Sequence, residues 1–241
     1  MSTAFPIYLA MTAAEFHSSP VISQPVAWMA CHFSCYGTGL SNLPSSLPKG
    51  SILIVNDRTP VCGHDPLRIT DQLTEIVDKL RPECILLDFQ RPEEAETAAI
   101  AEAIVSGLRC PVGVSEGYAD TLDCPVFLPP PPLDQPLKLH LQPWEHREIW
   151  LEAALDKTTI TVTEDGSTFS PGMFSPDPDS SFREESLFCH YRVETTDASA
   201  RFHLFRTRED LSSLLKAAEA LGVTRAVGLY QELSQSSRRG C

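Results

Sequence analysis

A carboxylate and an amide stand two residues apart at the end of an apolar run, as Asp88 and Gln90 in the segment CILLDFQRP (84–92). Two carboxylates at that spacing would be typical of an acid/base pair, but a glutamine amide does not titrate and cannot serve as a general acid. Residues two apart share one face of a strand, so both side chains point the same way. One interpretation is that the pair binds a polar ligand. The alternative is an ordinary strand end, in which Asp88 caps the next helix or accepts a hydrogen bond from Arg91.

Polar side chains also follow other strand-like runs of the chain. With Gln90 unable to titrate, Glu116 and Glu232 are the candidates for a substitute acid beside Asp88, because burial at a site raises a carboxyl pKa. The alternative for both glutamates is an exposed or salt-bridged surface position. The candidate catalytic residues are therefore Asp88, Glu116 and Glu232, and the candidate ligand-binding residues are Asp57, Gln90, Tyr118 and Gln231.

The metal-like pattern of the sequence is Cys31-His32-x-x-Cys35 with Cys62-x-His64. Zinc sites usually carry tightly spaced cysteine pairs in loops, whereas Cys31 lies inside an apolar run where it and His32 would point to opposite faces of a strand. We therefore expect no metal. No Walker loop and no G-x-G-x-x-G follows a strand, so we expect no nucleotide cofactor either.

An alternation of strands and helices must position the candidate residues. Asp65 and Pro66 are typical of a helix start, and the apolar spacing that follows predicts a helix over 66–80. A second helix is predicted to open at Pro92 with the acidic residues that follow it, and a third, with a capping-box pattern from Thr207 to Asp210, precedes the last strand. The predicted strands are PIYLAM (6–11), VAWMACHF (26–33), SILIVND (51–57), CILLDFQ (84–90), CPVGVSE (110–116), CPVFLPP (124–130) and AVGLYQEL (226–233).

This element order predicts an α/β fold, a compact (β/α)8 TIM-type barrel with a β-hairpin insertion before the last helix and strand. The eighth strand is near residue 149 or 160, because EIWLEAAL fits a helix or a strand equally well. A doubly wound open sheet is the structural alternative. Residues 174–183 are expected to form a loop, residues 1–235 a single barrel domain, and 236–241 a disordered tail.

Composition and charge indicate which classes of partner and which cellular compartment fit the chain. The net charge of −13 argues against nucleic acid and against an anionic membrane surface as partners. The N-terminal segment lacks the basic region of a signal peptide, and no run is long enough for a membrane span. Most of the cysteines lie in or beside apolar runs, as expected of core thiols in a reducing compartment, so we expect a cytoplasmic protein. The oligomeric state is left open.

Two segments resemble glycoside hydrolase family 18, the chitinase-like barrels. The fourth strand of that family ends in D-x-x-D-x-D-x-E, whose Glu is the acid and whose preceding Asp orients the substrate acetamide. ILLDFQ (85–90) is similar to the end of this motif: Asp88 matches the last Asp, Gln90 stands at the Glu position, and Leu86 replaces the middle Asp. The segment 191–233 is similar to the family's closing hairpin, helix and eighth strand.

The resemblance implies a glycosidase-like barrel with a degenerate active site, which binds a saccharide-type ligand at the carboxyl ends of its strands. Two alternatives stay open. One is an active glycoside hydrolase that uses Asp88 with Glu116 or Glu232, and the other is a non-catalytic barrel that binds another protein.

Overall fold

Parallel strands and connecting helices alternate along most of the chain in the computed structural model, which describes residues 5–19, 25–35 and 37–234. The strands in these ranges are β1 (Ile7–Met11), β2 (Val26–Phe33), β3 (Leu40–Ser41), β4 (Ile52–Asn56), β5 (Cys84–Asp88), β6 (Val112–Ser115), β7 (Val126–Leu128), β8 (Ile149–Glu152), β9 (Lys157–Thr163), β10 (Gly166–Pro171), β11 (Phe182–Glu184), β12 (Cys189–Thr195), β13 (Ala200–Phe205) and β14 (Val223–Leu229). The α-helices are α1 (Ala13–Ser18), α2 (Pro66–Leu80), α3 (Ala95–Gly107), α4 (Glu116–Ala119), α5 (Leu137–Leu141), α6 (Arg208–Ala220) and α7 (Tyr230–Leu233).

Eight of these strands close into a parallel barrel. Their order is β1, β2, β4, β5, β6, β7, β8 and β14, and β14 pairs back onto β1. The predicted (β/α)8 barrel is therefore confirmed, and the ambiguous segment EIWLEAAL supplies the strand β8. The strands are continuous apolar runs because parallel strands are covered on both faces. In β5, for example, the first four residues are all buried.

The barrel interior is filled around Trp150, whose side chain is fully buried. A Cβ added at Gly113 would lie 2.3 Å from the Trp150 ring, so only glycine leaves room for the indole there. The Trp150 Nε1 donates to Glu148 Oε1 at 2.8 Å, and the Arg225 guanidinium lies 4.6 Å from the ring centroid. These contacts close the barrel at the amino-terminal ends of its strands, because Glu148 directly precedes β8. The other buried residues of this cluster are Tyr8, Ala10, Ala27, Ile52, Ile54, Cys84, Leu86 and Val227.

The helix predictions hold with one correction. Helix α2 begins and ends where the sequence predicts, and the Asp65 side chain accepts the Leu67 N–H as its cap. Helix α3 does not open at Pro92: residues 92 and 93 form a turn, and the helix begins at Ala95. The helix start was predicted three residues too early because a proline followed by acidic residues is typical both of a turn and of a first helical turn.

The part of the chain that follows β8 and precedes β14 in sequence forms a five-stranded antiparallel sheet, in the order β10, β9, β13, β12, β11. The insertion is thus larger than the predicted hairpin, which corresponds to β12 and β13 alone. The predicted loop over 174–183 was wrong in part, since it contains a 3₁₀ turn at Pro178–Ser180 and the start of β11. Short, exposed strands of this kind leave little apolar signal in the sequence.

The chain divides into two compact units, each described by itself. The first comprises Met1–Leu128, His146–Glu152 and Val223–Cys241, and contains the eight barrel strands. The second comprises Pro129–Glu145 and Ala153–Gly222, and contains the antiparallel sheet and α6. The single domain expected over 1–235 stays a prediction, and the tail at 236–241 lies outside the described residues. None of the helices in the described ranges has the length and apolar character needed to cross a bilayer.

Candidate functional site

A cavity of about 600 Å³ opens at the carboxyl-terminal ends of the barrel strands. Residues at or just after the ends of seven of the eight barrel strands contribute to it. Its polar and charged lining residues are Thr12, His32, Asn42, Asn56, Asp57, Arg58, Asp88, Gln90 and Glu152. Its other lining residues are Ala10, Met29, Ala30, Ile54, Leu86, Phe127, Val227, Gly228 and Leu229. A cavity of this size with apolar walls and a few polar groups is typical of small-molecule sites.

Asp88 and Gln90 lie side by side in this cavity. Gln90 Nε2 donates to Asp88 Oδ1 at 2.6 Å, and Asp88 is half-buried at the end of β5. Burial raises the pKa of the Asp88 carboxyl, and the nearby charge of Asp57 raises it further, while the Gln90 hydrogen bond opposes both. Asp88 does not cap α3, whose first position is preceded by Glu94. The two residues thus face the cavity as a bonded pair, one ionisable and one neutral.

Asp57 fixes the chain segment that carries Gln90. It follows β4 directly, is only 2% exposed, and accepts the Gln90 backbone N–H through Oδ2 at 2.9 Å. Since β4 and β5 are neighbouring strands, this bond ties the end of one to the segment after the other. Three predicted residues, Asp57, Asp88 and Gln90, therefore meet in one place, as expected from their positions at strand ends.

The amide and imidazole groups on the β2 side complete the polar lining. His32 Nδ1 lies 2.8 Å from the Phe33 carbonyl oxygen, which only accepts, so this nitrogen carries a proton. His32 Nε2 lies 3.1 Å from Asn42 Nδ2. Asn56 Nδ2 donates to the Met29 carbonyl at 3.2 Å. These bonds hold three polar side chains at the cavity wall.

The other predicted site residues do not belong to the lining of this cavity. Glu116 is exposed at the first position of α4, and Tyr118 is buried with its ring edge-on to Phe89, the centroids 5.9 Å apart. Burial raises the pKa of the Tyr118 hydroxyl. Gln231 and Glu232 lie on α7 instead of the predicted strand, because β14 ends at Leu229.

Gln231 is exposed and its Nε2 donates to Glu15 Oε1 at 2.7 Å, while Glu232 is half-buried. Both α4 and α7 begin directly after their strands, so the chain turns before these side chains can follow the strand direction. Their assignment to the site stays a prediction that the cavity geometry does not support.

Two charged residues of the lining were missed by the sequence analysis. Glu152 ends β8 and is half-buried, and Arg58 follows Asp57. Reading EIWLEAAL as a strand would have placed Glu152 at a strand end and identified it by the same rule as Asp88. Arg58 offered no signal, because an arginine in a loop is usually a solvated surface residue.

The cysteine and histidine pattern does not form a metal site in the described part of the chain, where no three His, Cys, Asp or Glu side chains are grouped to hold an ion. Cys31 is fully buried, and burial raises the pKa of its thiol to about 12. The thiol at Cys31 is therefore protonated and inert at neutral pH.

No protein-family model matches the chain, and no curated protein sequence matches it. Solved structures do. A glycoside hydrolase family 18 N-acetylglucosaminidase from Paenibacillus barengoltzii aligns with a TM-score of 0.58 at 8% identity, over 93% of this chain and 94% of that chain. The family 18 chitinase from Cycas revoluta in complex with (GlcNAc)3 aligns with a TM-score of 0.57 at 7% identity, over 92% and 94% of the two chains.

A double mutant of the Cycas chitinase, in which a glutamate is replaced by glutamine, was crystallised with (GlcNAc)4. It aligns with a TM-score of 0.58 at 8% identity, over 92% of this chain and 94% of that one. At 7–8% identity, the similarity is one of backbone fold and not of side chains. The chain therefore has the barrel fold found in family 18 glycoside hydrolases, with its cavity at the carboxyl ends of the strands.

Proposed function

We propose that the chain binds a saccharide-type ligand in the cavity at the strand ends and lacks the general acid that a glycosidase would need at position 90. The observation that carries the proposal is the amide of Gln90, bonded to Asp88 within that cavity. An amide can donate to and accept from sugar hydroxyls but cannot protonate a leaving group. The site is thus suited to holding a sugar and poorly suited to cleaving its glycosidic bond.

The lining matches the two kinds of surface that a sugar ring presents. Apolar side chains such as Met29 and Phe127 suit the C–H faces, while carboxylates and amides suit the hydroxyl groups. Oligosaccharides bound to structural neighbours support the same ligand class, and so does the glutamate-to-glutamine double mutant crystallised with (GlcNAc)4. The free thiols of Cys31, Cys84 and Cys189 support the cytoplasmic location, which remains part of the proposal.

The alternative of an active hydrolase has less support. Glu116 and Glu232 are placed outside the cavity lining, so neither is positioned to act on a ligand beside Asp88. A carboxylate that does line the cavity is Glu152. If the native chain cleaved an oligosaccharide, Glu152 would be the first residue to replace.

Thermal denaturation with a panel of oligosaccharides tests the binding proposal. At a ligand concentration ten times its Kd, the native chain gains about 1.4 kcal/mol, which raises Tm by roughly 3–6 °C for a chain of this size. Gln90→Ala should reduce the shift in Tm by at least about half, because it removes a side-chain amide that would form hydrogen bonds with the ligand. Gln90 is exposed, so the variant should fold normally.

Gln142→Ala is the matched control, since Gln142 is also exposed but belongs to the other unit. Its ligand-induced shift should equal that of the native chain. The absence of any shift across neutral, acetylated and amino oligosaccharides would refute the proposal and favour the protein-binding barrel.

A further inference from the structure

The charged groups of the cavity are mostly acidic. Among the described residues that line it, Asp57, Asp88 and Glu152 carry carboxylates, whereas Arg58 carries the one guanidinium. His32 contributes an imidazole, and the remaining polar groups are amides and a hydroxyl. The wall of the cavity therefore has an excess of negative charge at neutral pH.

We infer that the cavity selects a sugar with a protonated amino group, such as glucosamine, over its N-acetylated counterpart. This inference rests on the proposed saccharide site and names the charge class of its ligand. An ammonium group would be attracted by the carboxylates of the wall, whereas an acetamide carries no charge to be attracted.

Asp57 and Asp88 each retain an oxygen for such a ligand. Gln90 occupies Oδ2 of Asp57 through its backbone N–H and Oδ1 of Asp88 through its side chain. Among the described residues, no donor is bonded to Asp57 Oδ1 or to Asp88 Oδ2. An ammonium group has three N–H donors in a compact geometry, which suits two carboxylates that line the same cavity.

The burial of the two carboxylates strengthens their attraction for a cation. Asp57 is 2% exposed and Asp88 is half-buried, so water screens them less than it would screen surface acids. Burial raises the pKa of Asp88, and repulsion by the Asp57 carboxylate adds to it. A cation bound between them would relieve that repulsion, which a neutral acetamide would not.

Calorimetric titration of the full chain with two matched trisaccharides tests the inference. The probes are the glucosamine trimer and the N-acetylglucosamine trimer, at a pH below the pKa of the amine and at low salt. We expect the charged trimer to bind at least about tenfold more tightly, and the advantage to shrink as salt screens the charges. Asp88→Asn should weaken binding of the charged trimer by roughly tenfold, as for loss of a charged hydrogen bond.

Asp65→Asn is the matched control. It removes the same charge from the same unit outside the cavity, and asparagine caps a helix as well as aspartate does. It should leave both affinities unchanged. An equal loss in both variants would mean that the overall charge of −13 attracts the ligand, and this would overturn the inference.

The remaining outcomes separate the inference from the proposed function. If the acetylated trimer binds as tightly as the charged one or more tightly, the inference is wrong and the saccharide site stands. If the native chain binds neither trimer nor any other sugar, both are wrong.

Discussion

Gln90→Glu is expected to turn the chain into a measurable glycosidase, with cleavage of an N-acetylglucosamine or glucosamine oligomer at least about 10²-fold faster than by the native chain. General acid catalysis contributes roughly 10²–10⁴-fold, and the native amide supplies none of it. The new carboxyl would lie beside Asp88, as the Gln90 amide does at 2.6 Å. Two carboxyl groups so close cannot both ionise easily, so one of them would hold a proton near neutral pH.

The leaving group makes this test specific for proton donation. The second substrate is a nitrophenyl glycoside of the same sugar. A sugar alkoxide needs a proton to depart, whereas a nitrophenolate departs with little help. The gain in rate should therefore be much larger for the oligosaccharide than for the nitrophenyl glycoside. Adding Asp88→Asn should abolish the gain. Gln142→Glu, an exposed change of the same type, should give none.

Two results would contradict the account of position 90. Hydrolysis by the native chain that Asp88→Asn abolishes would mean that the site is not degenerate. A Gln90→Glu variant that binds sugar as the native chain does, yet cleaves neither substrate, would mean that the amide is not what prevents catalysis.

Trp150→Ala is expected to lower the free energy of unfolding by about 3–5 kcal/mol, the usual cost of removing a large buried aromatic side chain. The indole is fully buried, packs against Gly113 and lies under the Arg225 guanidinium. Its loss would leave a void in the barrel interior and deprive Glu148 of a hydrogen-bond donor. Chemical denaturation followed by circular dichroism measures the change, with a constant m-value as the check on the transition.

Variants at Gly113 and at Trp150 test whether the loss of stability comes from the packing between these two residues. Gly113→Ala should cost about 1–3 kcal/mol, because its Cβ would lie 2.3 Å from the ring. Combining it with Trp150→Phe should cost less than the sum of the two, since the smaller ring makes room for the methyl group. A loss below about 1 kcal/mol in Trp150→Ala would contradict the role of this residue in the core.

The barrel could be predicted because its strands are apolar on both faces. Segments such as SILIVND and CILLDFQ have no helical period and are separated by amphipathic helices, which fits few folds besides a parallel sheet. The closure of the sheet cannot be read from any one segment, because it depends on β14 returning to β1. The second sheet was missed in part, because its strands β10 and β11 are polar and almost entirely exposed.

The site could be predicted only in part. Asp57, Asp88 and Gln90 were found because strand ends converge on one side of a parallel barrel. Glu116 and Gln231 follow strands in the same way, but a short helix begins at once after each strand and carries the side chain elsewhere. Glu152 was missed because the segment before it has the apolar content of either element, and only its partner strands decide between them.

The chain shares its barrel fold with family 18 structures whose sequences differ from it at most positions. Solved family 18 structures align over more than nine-tenths of the chain at 7–8% identity. A shared barrel supports many reactions, so the function has to be argued from the residues in the cavity. In this chain those residues include Asp88 and, bonded to it, the non-titrating amide of Gln90.

A crystal structure of the native chain soaked with glucosamine and N-acetylglucosamine oligomers tests the central claim most directly. We expect a sugar ring in the cavity at the strand ends, within hydrogen-bond distance of Asp88 and Gln90 and with its glycosidic bond intact. A sugar bound elsewhere, or a cavity that stays empty at saturating ligand, would contradict it.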